Sequence, residues 1–179
     1  LGDVILATSV LEKLHAKFPD TEIDLLVKKG NESVVEHHPF LKNTLVFNKE
    51  KKWESLFSLI KIIRKRKYSH VINLHRFGSS GFITWRSGAK EKIGFDKNPF
   101  SFCYTRKIKH EIGNGKHETE RNHELIAALT DKAPAKPKVY PSKTDYEHVS
   151  DLSRAEYICI APASVWFTKQ FPKEKWIEL

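Results

Sequence analysis

The sequence predicts an α/β protein, a doubly wound parallel sheet with helices on both faces. Three observations predict it. Short strand-like apolar segments alternate with helical apolar periodicity along the chain, the pattern of a parallel sheet with crossover helices. The composition, 40% apolar and 30% charged over 179 residues, suits a folded domain and is too apolar for a disordered chain. No apolar run approaches the roughly 18 residues of a membrane span. A chain of this length buries roughly two-thirds of its unfolded surface and needs no disulfide or metal to fold.

The elements follow in order. Over 3–18, Val4, Ala7, Val10, Leu11, Leu14 and Phe18 recur at helical spacing, Asp3 stands where an N-cap belongs, and Pro19-Asp20 closes the segment. Residues 22–28 read as a strand, 31–37 as a short helix and 43–47 as the next strand. The clearest helix covers 51–66, where Trp53, Leu56, Phe57, Ile60 and Ile63 are expected to line one face. Arg64 to Lys67 crowd its C-terminal end, where positive charge suits the helix dipole, and read as a solvated or membrane-facing patch. Strands are expected at 70–74 and 92–95, with a loop at 76–81 leading into a helix to about Trp85. Gly113-Asn114-Gly115 marks a tight turn, and 117–130 reads as a helix burying Leu125, Ile126 and Leu129. After it, 131–144 holds three prolines and four lysines, a linker composition. A strand over 157–161 and a helix from Pro172 then open a new unit.

The chain begins with a helix, so the first strand of the sheet is expected upstream of Leu1. The expected organisation is an N-terminal domain over 1–135, a linker over 136–150 and the start of a second domain over 151–179. Ligands of such sheets bind outside the carboxyl ends of the strands. The Gly2-Asp3 turn belongs at that edge.

Charge narrows the partners. With 31 Lys and Arg against 22 Asp and Glu, the net charge is +9, which points to an anionic partner: nucleic acid, an acidic membrane face or a phosphorylated substrate. Nucleic-acid binding would place aromatics among the basic residues of one face. Trp53 and Phe57 are expected on an apolar helix face, so nucleic acid is not the expected partner. Cys103 and Cys159 form no disulfide framework and are expected to be buried small residues in a reducing compartment. His117 and His123 flank Glu120 and Arg121 without an HExxH or CxxC pattern, so neither a metal nor a cofactor is expected.

Several segments can carry chemistry. Asp3 can cap a helix, or it can stand at the mouth of the sheet and accept a proton from a substrate hydroxyl, with Gly2 allowing close approach. His75-Arg76-Phe77-Gly78-Ser79-Ser80-Gly81 follows a strand and opens a helix; it is either a surface loop or a set of free backbone N–H groups that meets an anion. It matches neither a dinucleotide fingerprint nor a Walker loop. Asn48 to Lys52 also follow a strand, so Lys49, Lys51 and Lys52 are either a solvated helix start or phosphate contacts. In 158–176 a strand, a small-residue loop, Lys169 and a proline-opened helix make a candidate anion cradle, with hydroxyls from Ser164 and Thr168.

Together these residues resemble glycosyltransferase family 9, the lipopolysaccharide heptosyltransferases. The resemblance is carried by Leu-Gly-Asp-Val-Ile-Leu-Ala-Thr at 1–8, Phe-Pro-Asp-Thr-Glu-Ile-Asp-Leu-Leu-Val at 18–27 and Val-Ile-Asn-Leu-His-Arg at 71–76. It continues through Arg-Ser-Gly-Ala-Lys-Glu-Lys-Ile-Gly-Phe at 86–95 and His-Glu-Thr-Glu-Arg-Asn at 117–122. Pro162-Ala163-Ser164, Lys169-Gln170-Phe171-Pro172 and Trp176 then match the opening of the family's second domain. Single motifs are degenerate; the ordered set is much more specific. Val165 and Phe171 depart from it, standing where other members carry a hydroxyl and a tryptophan.

The resemblance implies a GT-B fold, two Rossmann-like domains with the acceptor held by the first and the nucleotide sugar by the second. It implies inverting, metal-free transfer with Asp3 as general base and a donor diphosphate contact from Lys169 with Ser164 beside it; Thr168, a hydroxyl of the same cradle, completes the donor-side candidates. Lys49, Lys51, Lys52, His75, Arg76, Ser79 and Arg121 are the candidates for a phosphorylated lipopolysaccharide or other anionic glycolipid acceptor. The implied donor is a nucleotide-diphosphate sugar, ADP-heptose in the family. The implied location is cytoplasmic, with peripheral contact at the inner membrane face. The 179 residues alone are expected to be inactive. The runner-up is a noncatalytic domain that binds acidic glycan or lipid; another GT-B transferase or an epimerase follows.

Overall fold

The structure is a computed structural model and describes residues 1–154, 156–160, 164 and 170–178. These fall into two units, Leu1–Tyr140 and Pro141–Leu179.

The first unit alternates helix and strand: α1 Gly2–Lys17, β1 Ile23–Lys28, β2 Leu41–Phe47, α2 Lys52–Arg66, β3 His70–Asn73, α3 Gly78–Arg86, β4 Glu91–Phe95, β5 Arg106–Ile108 and α4 Glu118–Ile126. Every strand pairing is parallel. β1 pairs with β2, and β3-β4-β5 form a second sheet. The fold is therefore α/β, parallel sheets flanked by helices, as the alternation predicts.

Two cores hold it. Leu56, Leu59, Ile60 and Ile63 of α2 pack with Ile83 of α3 over Leu26, Leu45 and Phe47 of the first sheet. Ile93 and Phe95 of β4 share a face by strand alternation and are sealed by Leu125 of α4. Gly94 points the other way, where the Tyr104 ring occupies the space of a Cβ, so no larger residue fits there without displacing the ring.

The structure corrects several expectations. Asp3 does not cap α1: Leu1 is the N-cap, without a side-chain hydrogen bond, and Asp3 lies inside the first turn. Residues 78–81 are the first turn of α3 rather than loop. On α2 the inward stripe is filled by positions 56, 59, 60 and 63, the i, i+3, i+4, i+7 set, which leaves Trp53 65% and Phe57 62% exposed on its flank. Cys103 is half-buried and Cys159 exposed, so neither is a core residue. β5 was not expected: two of its three residues are charged, and its register against β4 defines it.

In the second unit, α5 (Lys143–His148) starts on a capping box between Ser142 and Asp145, and α6 (Lys173–Ile177) follows Pro172. Tyr157–Ile160 form no strand; Ile158 is 90% exposed, and no described segment of this unit offers a partner ladder. Phe171 and Trp176 meet edge to face at 5.0 Å. Of the linker segment, Lys138 donates its backbone N–H to Thr8 Oγ1 at 2.9 Å and Tyr140 its hydroxyl to Glu12 at 2.7 Å, laying the end of the first unit along α1.

His38 is buried beside Glu12, with Nε2 3.5 Å from the carboxylate and no hydrogen bond, and burial lowers its pKa although Glu12 opposes this. His75 and His110 are lowered as well, first by desolvation. A histidine depressed below 6.5 takes up its proton later in the folded than in the unfolded chain. The stability it contributes is complete above 6.5 and is lost as pH falls through the folded value. The urea midpoint should therefore drop between about pH 7.5 and 5, and His38→Gln should shrink that drop. An equal drop in the variant would show that His38 does not contribute.

Candidate functional site

Helix α1 and the loops after β2, β3 and β5 bring their ends to one place. A cavity of about 650 Å³ runs between the two sheets. Along its length every residue from Ile23 to Val27 and from His70 to Asn73 lines it. A sheet face would contribute alternate residues, so these are the open edges of β1 and β3. Apolar side chains of α1, among them Val4, Ala7 and Leu11, complete that part.

The polar groups sit at the other end, at the carboxyl edge. Asp3, His75, Arg76, Ser80, Glu118 and Arg121 line the cavity there. His75 stays open to solvent but is crowded from several elements. Desolvation lowers its pKa, the carboxylates of Asp3 and Glu118 oppose this, and Lys49 adds to the lowering. These three charges therefore act on one imidazole. His110 is lowered by desolvation and then by Arg121 and Arg76, so those two guanidinium groups converge on it. Its backbone N–H is held by Asp96 at 2.9 Å and its ring lies edge-on to Phe95 at 4.5 Å.

The loop carrying His75 and Arg76 is built by two asparagines. Asn73 accepts from the His75 N–H at 2.9 Å and donates to the Tyr104 hydroxyl at 2.9 Å. Asn98, 2% exposed, donates to the carbonyls of His75 and Phe77, both at 3.0 Å, and accepts from the Phe100 N–H at 2.9 Å. A Cβ on Gly81 would collide with the Asn98 amide. Gly81 is thus required for the clamp rather than for flexibility. Its consequence is an α3 N-terminus without a side-chain cap, opening beside Arg76 with Ser79 in its first turn. Unpaired N–H groups and the positive dipole end make that position favourable for an anion.

Arg121 is already engaged. Its guanidinium donates to the Lys116 carbonyl at 2.6 Å and to Glu118, while its Nε is buried without a hydrogen bond. The first turn of α4 is capped by His117 with Glu120, so it offers less to an anion than α3 does. Lys49 is exposed, Lys51 lies 3.7 Å from Glu54, and Lys52 stands 5.3 Å over the Trp53 ring. Of the donor-side candidates, Ser164 is described, its carbonyl accepting from Gln170 at 2.7 Å; Thr168 and Lys169 lie outside the described residues. Glu118, His110 and Asn98 were not among the sequence candidates. Glu118 lies within the His-Glu-Thr-Glu-Arg-Asn segment and was within reach; His110 and Asn98 stand in no motif. Among the described residues no group of three or more His, Cys, Asp or Glu could hold a metal ion, and no helix is long and apolar enough to cross a membrane.

A parallel α/β unit with an acid and several cations at its carboxyl edge is an arrangement in which sheet ends and helix starts offer a place to an anionic ligand. The model of glycosyltransferase family 9 (heptosyltransferase) matches residues 56–179, and the chain belongs to that family. It is 29% identical over 112 residues to lipopolysaccharide heptosyltransferase 3 of Escherichia coli, covering 59% of this chain and 33% of the relative. It is 26% identical over 96 residues to the lipopolysaccharide core heptosyltransferase OpsX of Haemophilus influenzae, covering 53% and 27%. These matches span about a third of the first relative and about a quarter of the second. Among solved structures, a family 9 glycosyltransferase from Veillonella parvula superimposes with a TM-score of 0.80 at 21% identity, covering 99% of this chain and 55% of that one. The E. coli heptosyltransferase WaaC with ADP gives 0.68 at 22%, covering 99% and 58%. At such identities the likeness is one of fold.

Proposed function

We propose that this chain holds the acceptor side of a heptosyltransferase that moves heptose from ADP-heptose to a phosphorylated lipopolysaccharide core, with inversion and without a metal. The observation that carries the reading is the meeting of Asp3 with His75, Arg76 and Arg121 at one cavity mouth, with Lys49 near enough for its charge to act on His75. Family membership and the heptosyltransferase relatives support the reaction, and the structure of WaaC with ADP-2-deoxy-2-fluoro heptose supports the donor class.

In this reading the Asp3 carboxylate takes the proton of the acceptor hydroxyl as that oxygen bonds to the anomeric carbon. The bond from that carbon to the diphosphate breaks, and ADP leaves with the electron pair. Lys169, with Ser164 and Thr168, meets the leaving diphosphate. Arg76, the first turn of α3 with Ser79, and Lys49 hold the acceptor's anionic groups, with Lys51 and Lys52 beyond them. Arg121 acts mainly by positioning Glu118 and screening His110. His75, neutral near pH 7, can accept or donate a hydrogen bond without adding charge beside the base.

The expected domain organisation fits the same reading. The apolar length of the cavity, open strand edges on both sides and α1 above, offers what one further parallel strand needs, and such a strand would join the two sheets. Work at the inner face of the cytoplasmic membrane follows from the substrates.

Arg76→Ala in the intact transferase should raise KM for the phosphorylated acceptor about ten- to hundredfold and leave KM for ADP-heptose unchanged. An unchanged acceptor KM would remove Arg76 from the acceptor site.

A further inference from the structure

We propose that the outer flank of α2 docks on an anionic lipid surface, with Trp53 and Phe57 entering the interface. Four residues apart, these rings lie on one side of the helix, both more than three-fifths exposed. Neither belongs to the α2 core. Around them Lys49, Lys52, Lys61, Arg64 and Lys65 are exposed and form no salt bridge among the described residues.

The chemistry selects the occupant. A helix with aromatic side chains beside a lysine- and arginine-rich face matches the headgroup boundary: the rings take the apolar side and the long cationic stems reach the phosphates. Lys52 already stands over the Trp53 ring, an arrangement in which the ammonium can reach a headgroup while the indole inserts. The excess of cations on and beside α2, where only Glu50 and Glu54 are acidic, complements an anionic bilayer.

Position connects the surface to the site. α2 starts where β2 ends, so its aromatic end is at the carboxyl edge, one short loop from Lys49, whose charge acts on His75. Docking there would bring the cavity mouth to the headgroup layer. The inference rests on the reading that the acceptor is a membrane lipid, and it adds the surface by which the chain reaches it.

The test is sedimentation of the chain with vesicles of phosphatidylcholine containing about a third phosphatidylglycerol, and with phosphatidylcholine alone; no glycolipid acceptor is present. The chain should bind the anionic vesicles at low salt, with a blue-shifted tryptophan emission. The W53A/F57A variant should bind at least about tenfold more weakly at an unchanged Tm. K61Q/K65Q should bind several-fold more weakly and with less salt dependence. Equal binding by W53A/F57A, or no binding by the parent chain, overturns the proposal. So does retention of single-stranded DNA without vesicle affinity, or a dimer that W53A/F57A dissolves. Binding of a deacylated, water-soluble acceptor by the intact transferase separates the two readings: its loss with vesicle docking intact removes the acceptor assignment, and the reverse removes the docking surface.

Discussion

Asp3→Asn in the intact transferase is expected to lower kcat by about 10²–10⁴-fold while the Kd for acceptor stays within about threefold. Asparagine keeps the shape of the side chain and loses only the ability to take a proton. The helix should not suffer, because Leu1 rather than Asp3 occupies the cap position and Asp3 makes no cap hydrogen bond. The change removes a favourable carboxylate from the first turn, an effect of about 0.3–1 kcal/mol, too small to confuse with a catalytic loss. If kcat fell with acceptor binding in proportion, Asp3 would be a binding group. If kcat held, the base would have to be sought elsewhere at the cavity mouth, with His75 and Glu118 nearest in charge.

Asn98→Ala is expected to destabilise the first unit by about 2–4 kcal/mol and to weaken anion binding at the His75–Arg76 loop. The amide satisfies the carbonyls of His75 and Phe77 and the N–H of Phe100 from a buried position. Its removal leaves all three without that partner, each costing about 1–3 kcal/mol before relaxation or water entry offsets part of it. Urea unfolding gives the stability change. Acceptor titration below the midpoint gives the second effect, a weakening that a purely global loss of stability would not produce in the folded fraction. Loss of stability with unchanged acceptor affinity would limit Asn98 to the fold.

Much of the fold was legible because its elements advertise themselves in a single period. α1 and α2 repeat apolar residues at helical spacing, and β1 to β4 are short apolar runs between turn residues. β5 was hidden because its stability comes from pairing with β4 rather than from its own sequence, Arg106-Lys107-Ile108. The first turn of α3 was hidden for a related reason. Glycines at 78 and 81 argue locally for loop, and Gly81 is tolerated in the helix because Asn98, 17 positions later, fills the space where a side chain would stand. Tertiary context overrides propensity at both places.

Trp53 and Phe57 show the opposite error. Seven apolar residues of α2 compete for a stripe that four suffice to fill, and sequence does not say which of them are displaced. Trp53 and Phe57 stand exposed beside cations rather than on the apolar face, which is why DNA is an outcome of the vesicle experiment.

At the site, Asp3, Arg76 and Lys49 were legible by their position after strands or before a helix, and the carboxyl-edge rule gathered them. Their relation to His110 and Glu118 depends on how the segment after β5 folds back to the same edge, which no local pattern records. Arg121 was legible as a cation, but its commitment to Glu118 and the Lys116 carbonyl was not.

The most direct measurement is transfer by the intact protein from ADP-heptose to heptose-deficient lipopolysaccharide in the presence of a chelator, with the anomeric configuration of the product determined. The account predicts turnover unaffected by the chelator, inversion at the anomeric carbon and collapse of turnover in Asp3→Asn. Retention of configuration, dependence on a divalent metal, or undiminished turnover in Asp3→Asn would contradict it.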